Sequence, residues 1–265
     1  MAITSTTEPP QSNADERIAS LEARLEAEQG DLPHGIVHYC VEQARARFTH
    51  ARIHTFLPIL IERAARAALG RPPLPGWARV TAQRLLATDL PRRWRHTQGV
   101  AGRAEEIAAA LPAEDRPVLV SAAWLHDIGY APEVTDTGMH QLDGARYLAR
   151  LRVPHRVCAL VAHHAGATAV ADLMGLSGEL AEFTDEQGPA RDALWYCDMT
   201  TSPDGSRVTF HDRMVELRAR RQPDDPVVRA LTRNHGERVA AIRRTEERLA
   251  AWWSPARALT GTDGH

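Results

Sequence analysis

The chain has 265 residues, room for one large domain or two small ones and for a core that needs no disulfide support. Its composition is 43% hydrophobic, 25% charged and only 5% aromatic, with a formal net charge of −2, which excludes the basic field that drives binding to duplex nucleic acid or a membrane surface and disfavours a stacking platform for single strands. All 32 basic residues are arginine, so Schiff-base and P-loop lysine chemistry are closed to it.

Residues 1–14 are rich in Thr, Ser and Pro and are expected to form a loose tail. Residues 15–70 read as three helices. The first places Ile18, Leu21 and Leu25 at i, i+3 and i+7, the second runs from about Gly35 to Phe48, and the third ends at Gly70, a good C-cap residue. Two i, i+4 histidine pairs, His34/His38 and His50/His54, have zinc-binding spacing but read as solvated polar faces. Residues 71–76 hold three prolines and are expected to be a stiff linker. Residues 77–253 again read as helices, with no alternating β-branched run and no Asn-Gly hairpin turn. Residues 254–265 read as a second loose tail. The expected fold class is therefore all-α.

Cys40, Cys158 and Cys197 are too few and too scattered for a disulfide framework or a cysteine zinc site, so a reducing cytoplasm is the expected setting. The N-terminus lacks a basic segment followed by an apolar one. No stretch reaches the roughly 18 uncharged apolar residues of a membrane span.

The chemistry concentrates after residue 90. His96, Val100, Ala104, Ile107 and Leu111 lie on one helical stripe, as do Val118, Ala122 and His126. His140 aligns with Gly144, Leu148 and Leu151, with Thr137 as a candidate N-cap. His164 shares a face with Val157, Leu160 and Val161, and His163 lies one step round. Asp198 follows Ala190 and Leu194 at steps of four, in a helix that Pro189 opens. Five consecutive helices thus each turn a metal-ligand type of side chain inward. Burying so many imidazoles and carboxylates is costly unless they hold a cation, and this donor set suits Fe, Mn, Zn, Ni or Co.

The order His96 … His126-Asp127 … His140 … His163-His164 … Asp198, with Leu125-His126-Asp127-Ile128-Gly129 as its signature, resembles the HD-domain superfamily of metal-dependent phosphohydrolases, in its two-metal form. The resemblance covers roughly residues 77–205. It implies an HD-domain helical bundle with an N-terminal helical extension. It also implies two divalent transition-metal ions, the first held by His96, His126, Asp127 and Asp198, the second by His140, His163 and His164, with Asp127 bridging and with Asp127 and His126 at the catalytic centre. The implied activity is hydrolysis of a phosphate ester or anhydride, most naturally in a small nucleotide, by a metal-bound hydroxide. Relatives in this superfamily that activate oxygen at mixed-valent di-iron, or that sense a nucleotide without turnover, are the alternatives. Residues 51–69 are similar to the three-helix-bundle dimerisation domains of actinobacteria, which implies a homodimer through residues 15–70.

Two departures stand out. Tyr130 occupies the place where many relatives carry lysine, so positive charge for a phosphate must come from elsewhere. Arg92, Arg93 and Arg95, just before His96, and Arg207, just after the Pro203-Asp204-Gly205 turn, are the candidates, with Tyr130 and Thr201 as further substrate-binding residues. No Gly-Tyr-Pro triplet follows His163-His164, which separates the chain from the cyclic-dinucleotide branch. The basic run at residues 218–222 reads as a solvated helix end.

Overall fold

The computed structural model describes residues 10–48 and 56–254, and its contacts divide the chain into two compact units, residues 1–77 and 78–265. Among the described residues there is no strand; an isolated antiparallel bridge pairs Thr201 with Arg207. The fold is all-α.

In the first unit, α1 (Pro10–Glu28) buries the predicted stripe of Ile18, Leu21 and Leu25. It starts earlier than expected, so residues 10–14 are helical, because its opening residue is a proline that needs no backbone N–H there. Residues 1–9 lie outside the described residues. The second helix, α2 (Ile36–Arg47), buries Ile36, Val37, Cys40, Val41 and Ala44. The third, α3 (Leu57–Leu69), buries Pro58, Ile61, Ala65 and Leu69. Each fully buried Leu or Ile contributes about 1.5–3 kcal/mol. The ion pairs that Arg66 makes with Glu28 and Glu62 are largely exposed and add little. His38 meets Glu22 at 2.8 Å on an exposed face, and His50 and His54 fall outside the described residues. The expected linker is shorter than read: α4 (Leu74–Leu86) already begins inside it, with Pro75 in the first turn, where proline is tolerated.

The second unit is a helical bundle. The longest helix of its first half, α5 (Pro91–Ile107), opens on Pro91 and buries His96, Thr97, Val100, Ala101, Ala104 and Ile107. At the centre, α6 (Asp115–Leu125) is buried continuously from Leu119 to Leu125. It packs on α5, on α8 (His155–Ala162) and on α11 (Pro189–Met199). Between them run α7 (His140–Arg150), α9 (Ala167–Met174) and α10 (Ser177–Leu180). The stretch His155–Met174 has the length and hydropathy of a membrane span, but 72% of its most apolar window is buried inside the bundle. It is also broken at His164–Gly166, where Ala165 and Gly166 take positive φ.

Three C-terminal helices complete the unit. The Thr209 hydroxyl caps α12 (Phe210–Ala219) by accepting from the Asp212 N–H, and the Asp225 carboxylate caps α13 (Pro226–Arg233) through the Val227 N–H. The last, α14 (His235–Trp252), packs on α11 and buries Arg238, Ala241, Ile242, Thr245 and Leu249 along one face.

Candidate metal centre

Both residues of the His-Asp pair lie past the last residue of α6. His126 is its C-cap, and Asp127 leads into a 3-10 turn, Ile128–Tyr130. That turn sits against the start of α7: a Cβ on Gly129 would lie 1.9 Å from the His140 carbonyl oxygen. Glycine therefore lets the HD turn and the first residue of α7 touch, which carries His140 to Asp127. The loop before α7 is tied down by Asp143, whose carboxylate accepts from the N–H groups of Asp136, Thr137 and Gly138. The N-cap position is Met139, not Thr137; the Thr137 hydroxyl donates to Asp143 and accepts from the Met139 N–H.

The structure brings six of the seven expected ligands together. Two overlapping groups form, His96–His126–Asp127 and Asp127–His140–His164, with ligand atoms within 4.8 Å of one another in each. Asp127 is common to both. Its Oδ2 lies 3.3 Å from His126 Nε2 and 3.8 Å from His96 Nε2, while its Oδ1 lies 3.5 Å from His140 Nε2 and 3.9 Å from His164 Nε2. Asp198 Oδ1 is 3.0 Å from His96 Nε2.

The donor chemistry fits a cation. Three imidazoles spend Nδ1–H on backbone carbonyls: His96 on Ser202, His126 on Ala123 and His164 on Val161. Those bonds fix the tautomer and aim each Nε2 lone pair at the cluster. His126 Nε2 is buried and has no hydrogen-bond partner. His140 Nε2 and His164 Nε2 face each other at 3.2 Å, where two lone pairs repel unless a proton or a metal ion lies between them. His96, His126, Asp127, Asp198 and His164 are each buried, and His140 nearly so.

Charge follows the same plan. Burial raises the Asp127 carboxyl, but Arg93, 2.7 Å from Oδ2, and His126 together hold it well below the ordinary carboxylate range. Burial likewise opposes ionisation of Asp198, and His96 overrides it, so this acid too stays ionised. Burial pushes His140 well down and His164 to about 4, so both are neutral at physiological pH, as metal ligation requires. Tyr130 stacks on His140 at 4.0 Å between ring centroids, and the Arg93 guanidinium lies 4.0 Å over the Tyr130 ring.

Other expectations fall elsewhere. His163 is corrected: it caps α8, its Nε2 meets the Phe183 carbonyl at 2.7 Å, and its own carbonyl accepts from Trp195 Nε1. Adjacent residues leaving a helix diverge by about 100°, and here the second histidine, not the first, reaches the cluster. Thr201 is buried, and its hydroxyl is spent on the Cys197 carbonyl at the end of α11, so it does not line a substrate pocket. Arg207 is an exposed residue paired with Glu106. Arg95 is exposed and lines neither cavity at the centre. Arg92 lines the outer of these cavities and Tyr130 the inner.

The residues missed are the arginines of α12 to α14. An inner chamber of about 50 Å³ holds Asp127, His140, His164 and Asp198 together with Arg93, Arg213, Arg220, Arg221 and Arg238. An outer pocket of about 380 Å³ is lined by Asp89, Leu90, Pro91, Arg92 and Pro203. His96, Arg93, Arg213 and Arg220 line it as well, and the three arginines are common to both cavities. The run at residues 218–222 is thus not merely a solvated helix end: Arg220 and Arg221 face the centre. The signal was the helical phase of α14, where Arg238 opens a stripe continued by Ala241, Ile242, Thr245 and Leu249.

The HD domain family profile matches residues 93–251, more than half of the chain. The chain belongs to the HD-domain family. No curated protein and no solved structure matches it. HD domains bind divalent metals, and the family is generally one of metal-dependent phosphohydrolases. The match ends within α14, so the arginine-bearing helices are part of the HD unit.

Proposed function

We propose that this HD protein is a metal-dependent phosphohydrolase acting on a phosphate ester or anhydride of a small molecule, a small nucleotide foremost. The observation that carries the reading is the shared carboxylate of Asp127, with two inward Nε2 atoms at each of its oxygens, in a chamber walled by guanidinium groups. Two divalent ions fit this donor set, one at His96, His126, Asp127 and Asp198, the other at Asp127, His140 and His164. When bound, such ions supply an acidified water and neutralise phosphoryl oxygens.

The chain's own residues do the rest. Arg213 and Arg220 line both cavities and would grip a phosphoryl group as it passes between them. Arg93 keeps Asp127 ionised. Leu90, Pro91 and Pro203 offer the leaving group an apolar surface. Hydrolysis forms one bond from a water oxygen to phosphorus and breaks the bond to the leaving group, whose oxygen takes up the proton the water loses.

The test is phosphate release from nucleoside phosphates and p-nitrophenyl phosphate by protein loaded in turn with Mn, Fe, Co, Ni and Zn, with oxygen uptake and electron paramagnetic resonance recorded alongside. Metal-dependent phosphate release supports the proposal. Oxygen consumption without it, or nucleotide binding without any product, contradicts it. Self-association through residues 15–70 and a cytoplasmic setting belong to the same proposal. Exposed Phe56, Ile59 and Leu60 at the start of α3 support the first, and three buried free cysteines the second.

A further inference from the structure

The arginines around the inner chamber are not equally compensated. Arg93 pairs with Asp127, and Arg213 with Glu216 at 2.7 Å while lying 3.6 Å from Asp198. Arg220 shares Glu216 at 3.3 Å, and Arg221 reaches Asp225 at 3.7 Å. Arg238 has no carboxylate within ion-pair distance among the described residues. Its Nη1 meets only the weak acceptor Sδ of Met199 at 3.6 Å, and its Nε has no partner. Yet it is 2% exposed. Burial pushes its guanidinium down to about 10, so it is still a cation at neutral pH.

A buried guanidinium without a counter-ion is costly, and the fold makes room for it. Gly166, at positive φ, lies where a Cβ would come 2.8 Å from Arg238 Nη2. Arg221 Nη1 is likewise buried without a partner. Both side chains line the chamber that holds the metal cluster. Its volume is about 50 Å³ against about 380 Å³ for the outer pocket, so the chamber suits the small charged end of a ligand and the pocket its larger part.

We propose that the inner chamber receives the terminal, dianionic phosphoryl group of a phosphomonoester or polyphosphate, with Arg238 and Arg221 as its recognition pair and the rest of the substrate lying in the outer pocket. The inference rests on the reading of the centre as a phosphate site and narrows it to a substrate class. A phosphodiester brings one negative charge, two free oxygens and two substituents. It lacks the third free oxygen that a terminal phosphoryl group presents to the Arg221 and Arg238 guanidinium groups lining the chamber.

The test is calorimetric binding to the metal-loaded full chain, with inorganic phosphate, methyl phosphate and dimethyl phosphate as probes. Phosphate and methyl phosphate are expected to bind, and dimethyl phosphate at least tenfold more weakly. Arg238→Met is expected to weaken phosphate at least tenfold with metal content unchanged, and without phosphate to melt no lower than the parent, because it removes an unpaired buried charge. Arg221→Gln, at a partly exposed position, is expected to weaken phosphate by a similar factor, and it carries the test if Arg238→Met does not fold. Equal affinity for the monoester and the diester, or unchanged phosphate affinity in the variants while the parent still hydrolyses phosphate esters, overturns this inference and leaves the proposed function standing. A parent that neither binds phosphate nor releases it removes both.

Discussion

Replacing Asp127 by alanine tests the sharing of one carboxylate between two metal positions. Each Asp127 oxygen faces a different pair of imidazoles, at 3.3 and 3.8 Å on one side and 3.5 and 3.9 Å on the other. A four-ligand protein zinc site is worth about 10–16 kcal/mol, so one ligand contributes roughly 3–4 kcal/mol, or about a hundredfold to a thousandfold in affinity. Asp127→Ala should impose that loss at both positions at once. Asp198→Ala should impose it at one only, because Asp198 approaches His96 and not His140 or His164. The assay is elemental analysis after dialysis against a fixed free-metal concentration, with calorimetry for the affinities. The substitution also strands Arg93, whose carboxylate partner is Asp127, and breaking such a buried pair costs about 3–5 kcal/mol of fold stability. Circular dichroism must therefore show a folded variant, and Asp127→Asn serves as the milder form. Two ions per chain at parental affinity in folded Asp127→Ala would refute the shared-ligand reasoning.

Three further outcomes are expected. His163→Phe should keep its metal and lose about 1–3 kcal/mol of stability, because the Phe183 carbonyl is left buried without its donor; loss of one ion, read by elemental analysis, would return His163 to the ligand set. Gly129→Ala should move the start of α7 and impair the His140 position first, since the new Cβ would overlap the His140 carbonyl; an unchanged metal stoichiometry and melting temperature would contradict that. The metal-free protein should lose stability as pH falls from 7 to 5, read by thermal melts. His96, His140 and His164 are buried with lowered pKa values, His164 at about 4, while the unfolded chain protonates near 6.5. Between those values the unfolded state holds more protons, so acid favours it, by about 1.4 kcal/mol per pH unit for His164 and in the same direction for His96 and His140. Neighbouring Asp127 pushes His126 the other way, past the effect of burial, and trims the slope; a flat or rising stability toward acid would count against neutral buried imidazoles.

The helices were legible because their apolar residues recur at helical spacing and because Pro189 marks the start of α11. The same phase showed that His96, His126, His140, His164 and Asp198 turn inward. What phase could not resolve was the end of each helix. The break after Ala162 decides between His163 and His164, and it depends on the positive φ at Ala165 and Gly166, a property of the folded turn. Arg207 and Thr201 failed for a related reason: proximity to the Pro203-Asp204-Gly205 turn says nothing of which surface a side chain meets, and here one faces solvent and the other its own helix. The arginines of α12 to α14 were hidden because they follow Asp198, the last of the expected ligands, in helices that carry no ligand to mark their approach to the centre. Arg238 alone carried a local sign, a charge on the apolar face of its helix.

His96, His126, Asp127, His140, His164 and Asp198 converge on one another, and a pair of divalent cations explains that convergence. Anomalous diffraction from crystals soaked in manganese measures it most directly. Two peaks sharing Asp127, one beside His96 and His126 and the other beside His140 and His164, with His163 in neither shell, is the result predicted. A metal-free centre at saturating manganese, or a peak ligated by His163 away from Asp127, would contradict it.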